Sequence, residues 1–124
     1  MSRTNVAVWF EIPSIDFDRA TAFYEALFGV SLRRENIGSG TLGIFPYEQP
    51  ALSGCVIHGP MYRPAADGPV IYLNADGKLD DMLARVTTLG GSVVTPKIAL
   101  PPGMGFFAHI RDSEGNRVGL HSDL

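Results

Sequence analysis

The most constraining feature of this chain is a repeated order of elements: the pattern β-α-β-β-β reads twice within 124 residues. Val6-Ala7-Val8-Trp9-Phe10-Glu11-Ile12 is rich in β-formers and stops at Pro13. Asp16 then stands where an N-cap belongs, with Ala20, Phe23, Tyr24, Leu27 and Phe28 at helical spacing and Gly29 in the C-cap position. Short apolar runs follow at Val30 to Arg34, Thr41 to Tyr47 and Gly54 to His58, punctuated by Gly38, Gly40, Pro46 and Pro50. After a Pro/Gly-rich stretch, Gly59 to Pro69, the same order returns. Val70 to Ala75 reads as a strand, and Leu79, Met82, Leu83, Val86 and Leu89 as an amphipathic helix closed by Gly90-Gly91. Strand-like runs then occupy Ser92 to Ile98, Phe106 to Arg111 and Arg117 to His121. Phe17-Asp18, Ala20, Tyr24, Leu27 and Gly29 align with Leu79-Asp80, Met82, Val86, Leu89 and Gly91. Cys55-Val56-Ile57-His58 likewise aligns with Val118-Gly119-Leu120-His121. The expectation is one α+β domain over residues 1–124, with module one at about 5–59, a linker at about 60–69 and module two at about 70–122.

A helix over one face of each sheet requires the strands to alternate between a helix-facing side and an opposite side. In the first strand Val6, Val8, Phe10 and Ile12 share one face, leaving Ala7, Trp9 and Glu11 on the other. In the second module Ile71, Leu73 and Ala75 leave Val70, Tyr72 and Asn74, and Val118 and Leu120 leave Arg117, Gly119 and His121. Polar and aromatic residues thus gather away from the helices, where a curved sheet would enclose a cavity.

Composition narrows the partners. With 45% apolar and 19% charged residues the chain is globular, and a net charge of -3 without a basic cluster argues against nucleic acid. There is no apolar run of membrane-spanning length, and Met1-Ser2-Arg3-Thr4-Asn5 lacks the pattern of a signal peptide, so the cytosol is the expected compartment. The single cysteine, Cys55, sits in the apolar stretch Gly54-Cys55-Val56-Ile57 and reads as a small buried hydrophobe rather than a nucleophile.

Three segments carry a resemblance. Trp9-Phe10-Glu11-Ile12-Pro13, followed by Asp16, Arg19-Ala20, Phe23-Tyr24 and Phe28-Gly29, resembles the opening of a vicinal oxygen chelate domain, the superfamily of glyoxalases, bleomycin resistance proteins and extradiol dioxygenases. Asp112 to His121 resembles its closing turn and strand. Val70 to Asn74, Gly90-Gly91 and Pro96-Lys97 are similar to an uncharacterised glyoxalase-like subgroup. The resemblance implies two paired βαβββ modules forming a U-shaped, eight-stranded mixed sheet around a central pocket. It also implies a divalent metal held by His and Glu from the first and last strands of each module, and a homodimer.

Transferred residue by residue, those metal positions fall on Trp9, Val56, Val70 and Gly119. Indole, isopropyl and hydrogen offer no nitrogen or oxygen donor at the 2.0–2.2 Å that a metal such as zinc requires. Glyoxalase I and dioxygenase chemistry, which depend on that metal, are therefore not expected, and no cofactor is. A shifted site is the alternative: Glu11, His58, Tyr72 and His121 lie two residues further along the same strand faces, and Glu11 with two imidazoles has the composition of a facial triad. The structural alternative ends His58 and His121 at the pocket rim, hydrogen-bonded or solvated.

Glu11 is the candidate general base, provided it faces the pocket; paired with Arg111 or Arg117 it would instead serve structure. The expected pocket comprises Trp9, Glu11, His58, Tyr72, Asn74, Phe107, His109 and His121, with Trp9, Tyr72 and Phe107 as an aromatic lining suited to planar or apolar ligands. Leu100-Pro101-Pro102-Gly103-Met104-Gly105 is a candidate lip over it. Three functions follow: a metal-independent small-molecule binder, an isomerase or lyase using Glu11, or an interaction module whose pocket is vestigial.

Overall fold

The computed structural model describes residues 5–124. Module one comprises β1 (Trp9–Pro13), α1 (Phe17–Phe28), β2 (Arg33–Ile37), β3 (Gly40–Ile44) and β4 (Ser53–His58). Module two comprises β5 (Tyr72–Asn74), α2 (Leu79–Arg85), β6 (Ser92–Ala99), β7 (Phe106–Arg111) and β8 (Arg117–Ser122). The two modules are paired βαβββ units, each with one four-stranded mixed sheet, ordered β1-β4-β3-β2 and β5-β8-β7-β6. In each, the first strand runs parallel to the last and the other pairings are antiparallel. The sheets do not close: among the described residues β1 and β5 do not pair with each other, and each is an edge of its own sheet.

Local chemistry sets α1. The Asp16 carboxylate accepts from the Arg19 amide at 3.0 Å, and Gly29 closes the helix at φ 67°, a conformation that costs glycine little and a side-chain-bearing residue more. The second helix is shorter than its apolar periodicity, ending at Arg85 rather than at Gly90. The β-branched run Val86-Thr87-Thr88 follows, and residues 86–90 continue only as turns.

The main core lies beneath both helices and joins the modules: Ile12, Phe23, Tyr24 and Leu27 cluster with Leu73, Met82, Ile110 and Leu120. Expected face alternation holds for Leu73, Ala75, Val118 and Leu120, all buried there, but β1 begins later than its β-rich composition suggests. Val6 and Val8 precede the strand and are exposed, so only Phe10 and Ile12 reach the core. The opposite face of sheet one is closed rather than open. Ile44, Cys55 and Ile57 form a second small core, with Leu42 and the linker residue Tyr62 packed against it.

The turn Asp112–Asn116 locks the modules together. Glu114 reaches the N-terminus of α1, accepting from the amides of Ile15 and Asp16 at 2.8 and 2.7 Å and from Arg19 Nε at 2.6 Å. Asn116 donates to the Pro13 carbonyl at 2.7 Å and accepts from the Ala65 amide at 3.0 Å. Among the described residues no helix is long and apolar enough to cross a membrane.

Candidate functional site

A cavity of about 700 Å³ opens where the edge strands β1 and β5 face each other. Ala7, Trp9 and Phe10 line it from one side and Val70 to Asn74 from the other, with Phe28, Val30, Phe45 and Leu52 completing the wall. Its aromatic wall is closely packed: Phe45 contacts Phe10, Tyr24 and Phe28 with ring centroids 5.7, 5.7 and 6.1 Å apart. Trp9 and Tyr72 remain 44% and 49% exposed, so two large rings stay available to a ligand.

Of the expected pocket residues, Trp9, Tyr72 and Asn74 line this cavity, while Glu11, His58, Phe107, His109 and His121 do not. Phe10, Phe28 and Phe45 take part instead. Phe10 and Phe28 read as core from sequence because they lie on the helix-facing side of β1 and on the apolar stripe of α1; the gap between the two edge strands exposes them, with Phe45, from the side. Phenylalanines next to a strand or helix end (Phe28 before Gly29, Phe45 before Pro46) were the available signal.

Glu11 is exposed and lines a separate cavity of about 130 Å³ with Arg63, Asp67, Asn116 and Arg117. Among the described residues it forms no ion pair. It pairs with Cys55 across β1 and β4. Burial, helped by the Glu11 charge, pushes the Cys55 thiol up to about 12, which keeps it protonated and unreactive. His58 sits at the exposed end of β4 with Nδ1 3.0 Å from the Ser14 carbonyl, and His121 Nε2 lies 2.7 Å from the Met104 carbonyl. Glu11, His58 and His121 do not gather: among the described residues, the potential ligands with donor atoms within 4.8 Å of one another are Asp76, His121 and Asp123, at the end of sheet two. Within that group Asp76 Oδ1 accepts from the Asp123 amide at 2.5 Å, and His121 Nε2 lies 2.7 Å from the Met104 carbonyl. The Leu100–Gly105 loop lies there too, lining a third cavity with Asp123 rather than covering the main one.

Strand pairing refines the family metal positions. Glu11 opposes Cys55 as Tyr72 opposes Gly119, which equates Gly119 with Cys55, whereas Val56 lies on the other face, buried under α1. The positions become Trp9, Cys55, Val70 and Gly119, offering at most one thiol held in its protonated form. This donor set does not fit a divalent metal.

On the open face of sheet two, Tyr72, Phe107 and His109 form an aromatic group with centroids 5.4 to 6.2 Å apart. The Tyr72 hydroxyl lies 2.7 Å from His109 Nε2, and Arg117 Nε donates to His109 Nδ1 at 3.1 Å. Partial burial, reinforced by the Arg117 charge, lowers the His109 pKa. Gly119 makes room for this arrangement, since a Cβ there would stand 2.4 Å from the Tyr72 ring.

A family model for the Glyoxalase/Bleomycin resistance protein/Dioxygenase superfamily matches residues 7–120. No curated protein matches the sequence. Among solved structures, TnmS3, an antibiotic binding protein from Streptomyces sp. CB03234, superposes with a TM-score of 0.70 at 24% identity, covering 98% of both chains. The fosfomycin resistance protein FosX from Listeria monocytogenes gives 0.66 at 16% identity, over 97% of this chain and 92% of that one. A glyoxalase I mutant from Zea mays gives 0.68 at 17% identity; the alignment covers 94% of this chain but 45% of the maize protein, so the chain spans about half its length. At these identities the likeness is one of fold.

Proposed function

The chain belongs to the glyoxalase/bleomycin resistance/dioxygenase superfamily, and we propose that within it the protein is a metal-independent binder of small aromatic molecules. The observation that carries this reading is the 700 Å³ cavity between the modules, with Trp9 and Tyr72 half-exposed over a wall of phenylalanines. A cavity of this size and apolar character is typical of sites for drug-sized ligands. The absence of a competent donor set at Trp9, Cys55, Val70 and Gly119 supports a binder over the metal-dependent chemistry of other members. The antibiotic-binding TnmS3 supports the same reading by analogy. The free, buried Cys55 is compatible with a reducing compartment, so the cytosol belongs to the proposal, and a homodimer joins it by family habit alone.

The test is a thermal-shift screen of flat aromatic compounds, read in parallel by fluorescence of Trp9, the single tryptophan. Binding compounds are expected to raise Tm, quench Trp9 and come back chemically unchanged by mass spectrometry. Trp9→Ala should weaken binding about tenfold, the loss usual for a tryptophan at the centre of a contact. Chelator treatment should leave affinity unaltered, and Glu11→Gln should do the same because Glu11 lines a different cavity. Turnover of a bound compound that Glu11→Gln abolishes would reverse the assignment in favour of an isomerase or lyase.

A further inference from the structure

Sheet two carries a hydrogen-bonded chain that the cavity reading does not use. Arg117 on β8 donates its Nε hydrogen to His109 Nδ1 on β7, so that nitrogen must be bare. A histidine with bare Nδ1 is neutral and carries its proton on Nε2. That nitrogen lies 2.7 Å from the Tyr72 oxygen, so the imidazole donates and the phenol oxygen accepts. The phenol's own hydrogen therefore has no partner among the described residues. Among the described residues, the Tyr72 hydroxyl makes this single hydrogen bond.

Position gives that free donor a use. Tyr72 lines the main cavity at β5, while its ring crosses Gly119 and its hydroxyl ends at His109, two strands away. The ring is a shelf running from the cavity onto the open face of sheet two, with Phe107 against it. Arg117, positively charged and hydrogen-bonded to the imidazole, polarises the chain toward the phenol, and hydrogen bonds in series reinforce one another.

We propose that Tyr72 is the specificity-determining residue of the binding site, its hydroxyl donating to an acceptor oxygen on a flat aromatic ligand, with His109 and Arg117 as positioning residues that fix the direction of that donation. The ligand class is thus an aromatic carbonyl or phenolate rather than a plain hydrocarbon. This rests on the binding function proposed above.

A matched pair of probes tests it: 9-fluorenone and fluorene share a flat tricyclic frame and differ in one carbonyl. The wild-type protein is expected to bind fluorenone about five- to tenfold more tightly, the value of one net hydrogen bond. Tyr72→Phe should erase that preference while leaving fluorene affinity within twofold. Arg117→Met should erode the preference too, because His109 can then accept from the phenol and consume its proton. Nitrogen-15 shifts of His109 read this directly: Nε2-protonated in the wild type, with the other tautomer populated in Arg117→Met. Equal affinity for both probes in the wild-type protein, or a preference surviving in Tyr72→Phe, would overturn the inference and leave the cavity a binding site. Failure of both probes to bind would count against the cavity itself as an aromatic site and remove the inference with it.

Discussion

Glu114 is buried in the turn between β7 and β8, yet it stays ionised far into acid. Burial alone raises its pKa; hydrogen bonds from Arg19, from the Asp16 and Ile15 amides and from Ser113 outweigh that and bring it to about 2 from an ordinary 4.5. Folding therefore gains from this carboxylate at pH above about 4.5, and the gain is lost as pH falls from there through about 2. Glu114→Gln should cost about 2 kcal/mol at pH 7 by urea denaturation, with the gap between variant and wild type closing near pH 2. A gap that persists unchanged at low pH would assign the loss to shape rather than charge. At Gly119 the constraint is steric. Gly119→Ala should displace the Tyr72 ring and break its bond to His109, detectable as a changed His109 nitrogen-15 spectrum while the fold is retained.

At the scale of elements, α1 is held at both ends by module two and by its own caps. Glu114 meets its N-terminus, where exposed amides favour an anion, and Arg85 donates to the Ala26 and Leu27 carbonyls at its C-terminus at 2.8 and 3.0 Å. Gly29→Ala forces a side chain into the left-handed region and should lower stability by about 1 kcal/mol, read as a lower midpoint in urea with an unchanged slope. The helix was legible in advance because Asp16 and Gly29 mark its ends in the sequence itself. The second helix carried no such early stop signal: its apolar spacing continues to Leu89, and the run Val86-Thr87-Thr88 gave the only hint of the earlier end. Strand β1 is shorter than its composition suggests for a related reason. Val6 and Val8 have strand-forming side chains, but pairing begins only where β4 lies alongside, at Trp9 opposite Ser53.

For the whole molecule, the decisive contacts cross between modules. The Tyr24 hydroxyl, buried under α1, donates to Asp112 Oδ2 at 2.7 Å, and Asn116 links the same carboxylate to Pro13 and, through its carbonyl, to the linker at Ala65. Asp112 also accepts from the Glu114 and Asn116 amides, so all of these buried polar groups are satisfied. Asp112→Ala strips partners from several of them at once and should cost at least about 3 kcal/mol. Because one core and one polar hub serve both modules, unfolding followed by Trp9 fluorescence and by far-ultraviolet circular dichroism should coincide in a single transition. Two separated transitions would show that the modules fold independently.

The motif Asp112-Ser113-Glu114-Gly115-Asn116 was visible as a turn and as part of a family resemblance, and the structure shows what its side chains hold. By itself the amino-acid order determined the two βαβββ modules, the capped first helix and the face on which Tyr72 and Gly119 lie, because strand and helix periods are local properties. It also determined that Trp9 and Val70 bring no metal donor. It did not determine which residue of β4 matches Gly119. A four-residue alignment chose Val56, and the pairing chose Cys55; a slip of one reverses the face. Nor could it place the cavity, which depends on two edge strands, β1 and β5, facing each other without pairing, or separate Glu11 from His121. Those outcomes rest on how one module docks against the other, through contacts between residues about 100 positions apart such as Glu114 and Asp16, and no local pattern encodes that distance.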